Sequence, residues 1–178
     1  MGAKSYFILP GLNNSGPGHW QTHWENEYGF TRIQQADWNH PVAEDWIQTM
    51  DAAIVTYPLK EVVLIGHSLA CNTIVQWAAR YNHIIKAALL VAPSDTEAPS
   101  YPQGTSGFAP MPLNRLPFPS VIVTSSNDEY VTPRRAQFFA ANWGSDCIDA
   151  GILGHINAAS GIGNWPQGFA ILEQLVNR

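Results

Sequence analysis

One segment constrains the fold more than any other: Val62-Val63-Leu64-Ile65-Gly66-His67-Ser68-Leu69-Ala70, where an apolar run passes into a helical pattern with no loop between them. Val62 to Ile65 read as a strand buried on both faces. Beyond it, Ala70, Ile74, Trp77 and Tyr81 recur at the spacing of one helix face. A strand and a helix meeting at so tight a turn leave no room for large side chains two residues before and two after its apex, and Gly66 and Ala70 meet that demand. The apex residue is Ser68. A serine carried on such a turn has its hydroxyl at the end of the sheet, which is the arrangement of a nucleophile elbow.

The rest of the chain repeats the alternation. Strand-like runs at Ser5 to Leu9, Thr31 to Gln34, Val62 to Ile65, Ala87 to Val91, Val121 to Thr124 and Cys147 to Ala150 are separated by segments of helical period. Helix faces group Trp20, Trp24 and Tyr28; Val42, Trp46 and Met50; Ala136, Phe139, Ala140 and Trp143; and Trp165, Phe169, Leu172 and Val176. Pro41 and Pro133 mark helix starts, and Asn164 before Trp165-Pro166 reads as an N-cap. The expected architecture is α/β: a doubly wound, mostly parallel sheet with helices on both faces, whose function collects at the carboxyl ends of the strands. Residues 92 to 119 hold seven of the thirteen prolines and no period, so they form an irregular loop and a candidate pocket wall.

At 178 residues the chain suits a single domain, residues 1–178. Such a domain buries roughly 70% of its unfolded surface, so its core needs neither disulfide nor metal. A net charge of −5, with 13% charged residues and no basic run, gives no footprint for nucleic acid or an anionic membrane. No leader or membrane-length apolar stretch is evident, so a cytoplasmic protein with a small-molecule partner is expected. The cysteines, Cys71 and Cys147, read as buried free thiols, with a reactive role for Cys71 as a minor alternative.

A serine hydroxyl is a poor nucleophile near neutral pH and needs a histidine base that an acid holds in the right tautomer. Asp128 follows the run Val121 to Asn127, and His155 lies in a glycine-rich loop after the last strand. The order Ser68, Asp128, His155 is that of α/β-hydrolases, and the spacing between acid and base fits one helix and one strand. Asp95, after the strand Ala87 to Val91, is the alternative acid, while Asp149 falls within a strand.

The loop Pro10-Gly11-Leu12-Asn13-Asn14-Ser15-Gly16-Pro17-Gly18 follows the first strand, where the second oxyanion donor is expected. The oxyanion hole is assigned to the N–H groups of Leu69 and Leu12, with Asn13 as an alternative donor. Asn13, His19 and His67 are the candidate substrate-binding positions, although His67 is expected to point away from Ser68. The loop lacks the Gly-Lys-Ser/Thr ending and the Gly-x-Gly-x-x-Gly spacing of phosphate-binding loops. His19 and His23 have a spacing that can bind zinc, but residue 20 is Trp where a His-Glu-x-x-His site needs Glu, so no metal or cofactor is expected. His40 and His83 lie in connections and carry no partner signal.

With Gly66 to Ala70, Ser125-Ser126-Asn127-Asp128-Glu129-Tyr130-Val131 and Gly154 to Gly161 in order, the chain resembles the retinoblastoma-binding serine hydrolase family, a small branch of the α/β-hydrolases. The resemblance runs nearly the whole length. It implies a minimal α/β-hydrolase fold without a cap domain, with Ser68 as nucleophile, Asp128 as acid and His155 as base, and esterase or amidase activity. Two positions depart from the pattern. Pro10-Gly11 stands where many α/β-hydrolases have His-Gly, and Leu69-Ala70-Cys71-Asn72-Thr73 lacks the glutamate of the Leu-x-Cys-x-Glu motif that links vertebrate relatives to retinoblastoma protein. The binding role is therefore not carried over.

The expected function is hydrolysis of a small ester or amide through a Ser-Asp-His triad and an acyl-enzyme, of carboxylesterase or amidase type. The alternative is a binding or regulatory protein on the same scaffold.

Overall fold

The computed structural model describes residues 4–178. Among them, β1 (Ser5–Leu9), β2 (Thr31–Arg32), β3 (Val62–His67), β4 (Ala87–Val91), β5 (Ser120–Thr124) and β6 (Asp146–Asp149) form one sheet in the order β2-β1-β3-β4-β5-β6. Every pairing is parallel, with Leu9 opposite Gly66 and His67 opposite Val91 at the carboxyl ends of β1, β3 and β4. The strand order reverses direction between β1 and β3, and in open parallel sheets that switch point is where ligands bind.

The helices are α1 (Trp20–Tyr28), α2 (Ala43–Ile54), α3 (Leu69–Tyr81), α4 (Pro133–Trp143) and α5 (Pro166–Val176). Alternation along the strands divides the core between the two faces of the sheet. Phe7, Leu64, Leu90 and Ile122 face α2, α3 and α4, where Trp46, Met50, Ile74, Trp77 and Phe139 cover them. Ile8, Ile65, Leu89 and Val123 face α1 and α5, where Trp20, Trp24, Trp165 and Leu172 do so. With helices on both faces, β3, β4 and β5 are buried at every residue, which is why they read as continuous apolar runs. No further domain caps the sheet among the described residues, and no helix there is long and apolar enough to cross a membrane.

Several local expectations are corrected. The β2 strand stops at Arg32 instead of Gln34, and β3 runs on to His67. Helix α2 starts at Ala43 behind an exposed Val42, so neither Pro41 nor Val42 lies in it. Asn164 does not cap α5. The cap is Trp165, held at φ 46°, with its ring folded back over the first turn. A Cβ on Gly168 would lie only 2.2 Å from that ring, so the residue's lack of a side chain admits the fold-back. Cys147 is exposed, because β6 is an edge strand with three of its four residues open to solvent.

Candidate active site

The strand-to-helix turn takes the strained form its sequence demands. Ser68 sits at φ 58°, ψ −125°, a conformation that costs a non-glycine residue about 1–3 kcal/mol. Its N–H donates to the Val91 carbonyl at 2.9 Å, so the end of β4 holds the turn in place. Gly66 lies under the first turn of α3, and a Cβ there would meet Ile74 Cδ1 at 2.7 Å.

From this apex a continuous line of hydrogen bonds crosses the carboxyl edge of the sheet. Ser68 Oγ is 2.7 Å from His155 Nε2, and His155 Nδ1 is 2.9 Å from both carboxylate oxygens of Asp128. A carboxylate only accepts, so Nδ1 carries the ring proton and Nε2 presents its lone pair to the serine hydroxyl. Asp128 is fixed in turn by the Tyr130 N–H, which donates to Oδ1 at 2.9 Å. The Asp128 side chain has no solvent exposure and that of His155 has 8%. The geometry can pass a proton from Ser68 to His155 while Asp128 holds the ring and offsets the charge it gains.

The loop carrying His155 is held from three sides. Trp20 Nε1–H donates to the Ile156 carbonyl at 2.8 Å, Ser125 Oγ accepts from the Leu153 N–H at 2.9 Å, and Asn127 Oδ1 accepts from the Gly154 N–H at 2.8 Å. His67 provides a fourth support. Its Nε2–H donates to the His155 carbonyl at 2.9 Å, and its ring lies 4.9 Å from that of His155. It is buried between β3 and the histidine loop, and burial, with the neighbouring His19 and His155, holds its pKa well below the usual imidazole value. Sequence reasoning missed these supports, except that the Ser125–Asp128 motif and the tryptophans after β1 marked the segments that supply them.

Beside Ser68 is a cavity of about 280 Å³, whose walls include Leu12, Asn13, His19, His67, Ser68 and His155. The candidate substrate-binding positions therefore do gather at one place. The proline-rich loop contributes Ser94, Tyr101 and Pro102 to its lining, and among the described residues no Lys, Arg, Asp or Glu lines the cavity. His19 caps α1 by accepting the Gln21 N–H at Nδ1, which assigns its proton to Nε2. Burial, with Arg32 as the next cause, lowers its pKa to about 3.

Gly11 packs directly on the elbow: a Cβ there would lie 2.7 Å from Ser68 Cβ, 2.9 Å from the His67 carbonyl and 3.2 Å from the Leu69 nitrogen. Only a residue without a side chain lets the first loop close so far. Asn13 N–H is already committed to the Trp38 carbonyl at 2.8 Å, whereas the N–H groups of Leu12 and Leu69 donate to no acceptor among the described residues.

The other candidates sit elsewhere. Asp95 is engaged by Arg135, whose Nε and Nη2 meet its two oxygens at 2.9 and 3.2 Å. Asp149 ends β6 and accepts from Ser126 Oγ and the Gly151 N–H, both at 2.8 Å. Cys71 is buried in α3, where desolvation pushes its thiol pKa up and leaves it protonated. Among the described residues, no cluster of three or more His, Cys, Asp or Glu side chains could hold a metal ion, His19 and His23 included.

The profile of the family described as serine hydrolase matches residues 6–174. No curated protein matches the sequence. Among solved structures, the chain is similar to a protein described as a YdeN-like hydrolase from Pectobacterium atrosepticum, at 28% identity over 98% of this chain and 91% of that one, with a TM-score of 0.87. It is also similar to the ydeN gene product of B. subtilis, at 17% identity over 99% and 100% of the two chains and a TM-score of 0.85. A hydrolase from Oleispira antarctica shares the fold at 15% identity over 97% and 92%, with a TM-score of 0.66.

Proposed function

The chain belongs to the serine hydrolase family, and from that premise we propose that Ser68, His155 and Asp128 are a catalytic triad cleaving a small ester or amide through an acyl-enzyme. The observation that carries this reading is the unbroken line from Ser68 Oγ through His155 to Asp128, at 2.7 and 2.9 Å, beside an open cavity.

In the first half-reaction Ser68 Oγ attacks the carbonyl carbon as its proton passes to His155 Nε2, and the carbonyl π pair moves onto oxygen. The N–H groups of Leu69 and Leu12, neither of which has an acceptor among the described residues, receive that oxyanion. One such donor contributes about 2.7–4 kcal/mol in the transition state. His155 then protonates the leaving group, and water repeats the sequence with His155 as base to release the acid. Asp128 stays ionised and keeps the ring proton on Nδ1.

A cavity of this size without a charged wall favours a short, uncharged acyl group and a carboxylesterase type of reaction, with amides as the second class. Within the family, the three sequence motifs support membership of the branch that contains the retinoblastoma-binding hydrolases. The binding function itself is not proposed, because Leu69 to Thr73 are buried in α3, where no partner could read them. We read residues 1–178 as one cytoplasmic catalytic domain with a small-molecule substrate and no nucleic-acid or membrane partner.

The test is hydrolysis of p-nitrophenyl acetate and butyrate by wild type and Ser68→Ala, together with labelling by a fluorophosphonate probe. We expect labelling of wild type alone and a loss on the order of a million-fold in rate for Ser68→Ala. A correctly folded wild type that neither labels nor turns over would return the site to a binding role.

A further inference from the structure

Ser68 Oγ has two hydrogen-bonding neighbours, and the triad accounts for only one. The second is Ser94 Oγ, at 2.9 Å. Ser94 follows β4, is 1% exposed and lines the cavity. Ser68 has a single hydroxyl proton, and in the resting site that proton points at His155 Nε2. The bond to Ser94 must therefore run the other way, with the Ser94 O–H donating to a lone pair of Ser68 Oγ. Tyr101, from the proline-rich loop, lines the same cavity as Ser94. Burial raises its pKa to about 12, so the phenol stays neutral and adds no charge beside Ser94.

We propose that Ser94 is a further catalytic residue, whose hydroxyl fixes the rotamer of Ser68 and stabilises the charge that grows on Oγ during attack. The proposal rests on the reading of Ser68 as nucleophile. The bond to Oγ strengthens as the serine proton leaves for His155, because a hydrogen bond to a developing anion is stronger than one to a neutral hydroxyl. Ser94 keeps its own proton throughout. The only bond formed is Oγ to carbonyl carbon, the proton lost from Oγ is the one gained by Nε2, and the carbonyl electron pair moves to oxygen. After acylation Oγ is an ester oxygen and a poorer acceptor, so Ser94 favours the attacking state over the acyl-enzyme.

The experiment compares Ser94→Ala, Ser94→Thr and Ser94→Cys with wild type in the second-order rate constant for fluorophosphonate labelling, in kcat and KM for p-nitrophenyl acetate, and in thermal midpoint. Ser94→Ala should label about tenfold more slowly, the size of one charge-assisted hydrogen bond, with KM and thermal midpoint little changed. Ser94→Thr, which retains a hydroxyl, should recover most of the rate. Ser94→Cys, near in size but a weak donor, should fall between wild type and Ser94→Ala. It also supplies the decisive comparison if Ser94→Ala does not fold. Equal labelling of wild type, Ser94→Ala and Ser94→Cys would overturn the role of Ser94 and leave the triad standing. A folded wild type that does not label would overturn both.

Discussion

Asp95 and Asp128 stand at the carboxyl ends of neighbouring strands, both are buried, and they face different partners. Asp128 receives His155 Nδ1–H and sits on the line that ends at Ser68. Asp95 receives the guanidinium of Arg135, which also pairs with Glu97 and lies over Phe138 and Phe139 at 5.0 and 4.5 Å. The two loops are joined, since the Asp95 N–H donates to the Tyr130 carbonyl at 2.9 Å. Depth and strand position therefore do not tell the two acids apart. A neutral imidazole leaves its acid part of a proton path, whereas a permanently charged guanidinium turns its acid into a clamp.

The sharpest way to break that contrast is to remove each charge in turn. Asp128→Asn should lower kcat for p-nitrophenyl acetate by about 10⁴-fold, because an amide can favour the tautomer that places the ring proton on the wrong nitrogen. Asp95→Asn should leave kcat nearly unchanged. Comparable losses in both variants would mean that Asp95 supports the acid as strongly as the acid supports the histidine. Stability should reverse the order. Asp95→Asn weakens a two-point bond to an Arg135 side chain that is 28% exposed, and the expected loss is about 1–2 kcal/mol, a few degrees in thermal midpoint. Calorimetry of the two variants checks it, and an unchanged midpoint for Asp95→Asn would remove the clamp.

This contrast was half legible in the sequence. Chain order favoured Asp128, and the strands were readable because burial on both faces makes them continuously apolar. The partner of Asp95 was not readable: Arg135 lies 40 residues away and reaches it only after β5 and α4 have folded. The surroundings of His67 were not readable for a related reason. Its neighbour Ser68 was identified from the turn, but the direction of the imidazole depends on β3 continuing two residues past Ile65, which carries the ring to the α1 side against His19 and His155. The N-cap of α5 and the exposure of Cys147 were missed because one depends on a ring folding over Gly168 and the other on which strand ends the sheet. Short-range pattern shows that an element exists. It does not show what the fold later brings against it.

The histidines repeat the comparison at smaller amplitude and give the finest prediction. His155 has a carboxylate on its ring, while His67 and His19 are buried against imidazole, indole and backbone, and both have pKa values lowered chiefly by desolvation. A histidine that is neutral when folded and ordinary when unfolded binds more protons in the unfolded chain. Its contribution to stability is therefore intact above the unfolded pKa of about 6.5 and is lost as pH falls towards the folded value, about 3 for His19. Each such group adds a slope of up to about 1.4 kcal/mol per pH unit and costs under about 1 kcal/mol at pH 6. His67→Gln keeps a side-chain donor for the His155 carbonyl but cannot titrate. Its packing loss should make it less stable than wild type at pH 7, yet its stability should fall less steeply between pH 7 and pH 5 in urea unfolding. Parallel slopes for the two proteins would mean that His67 takes up its proton inside the fold, and the difference between paired and unpaired histidines would then be one of geometry alone.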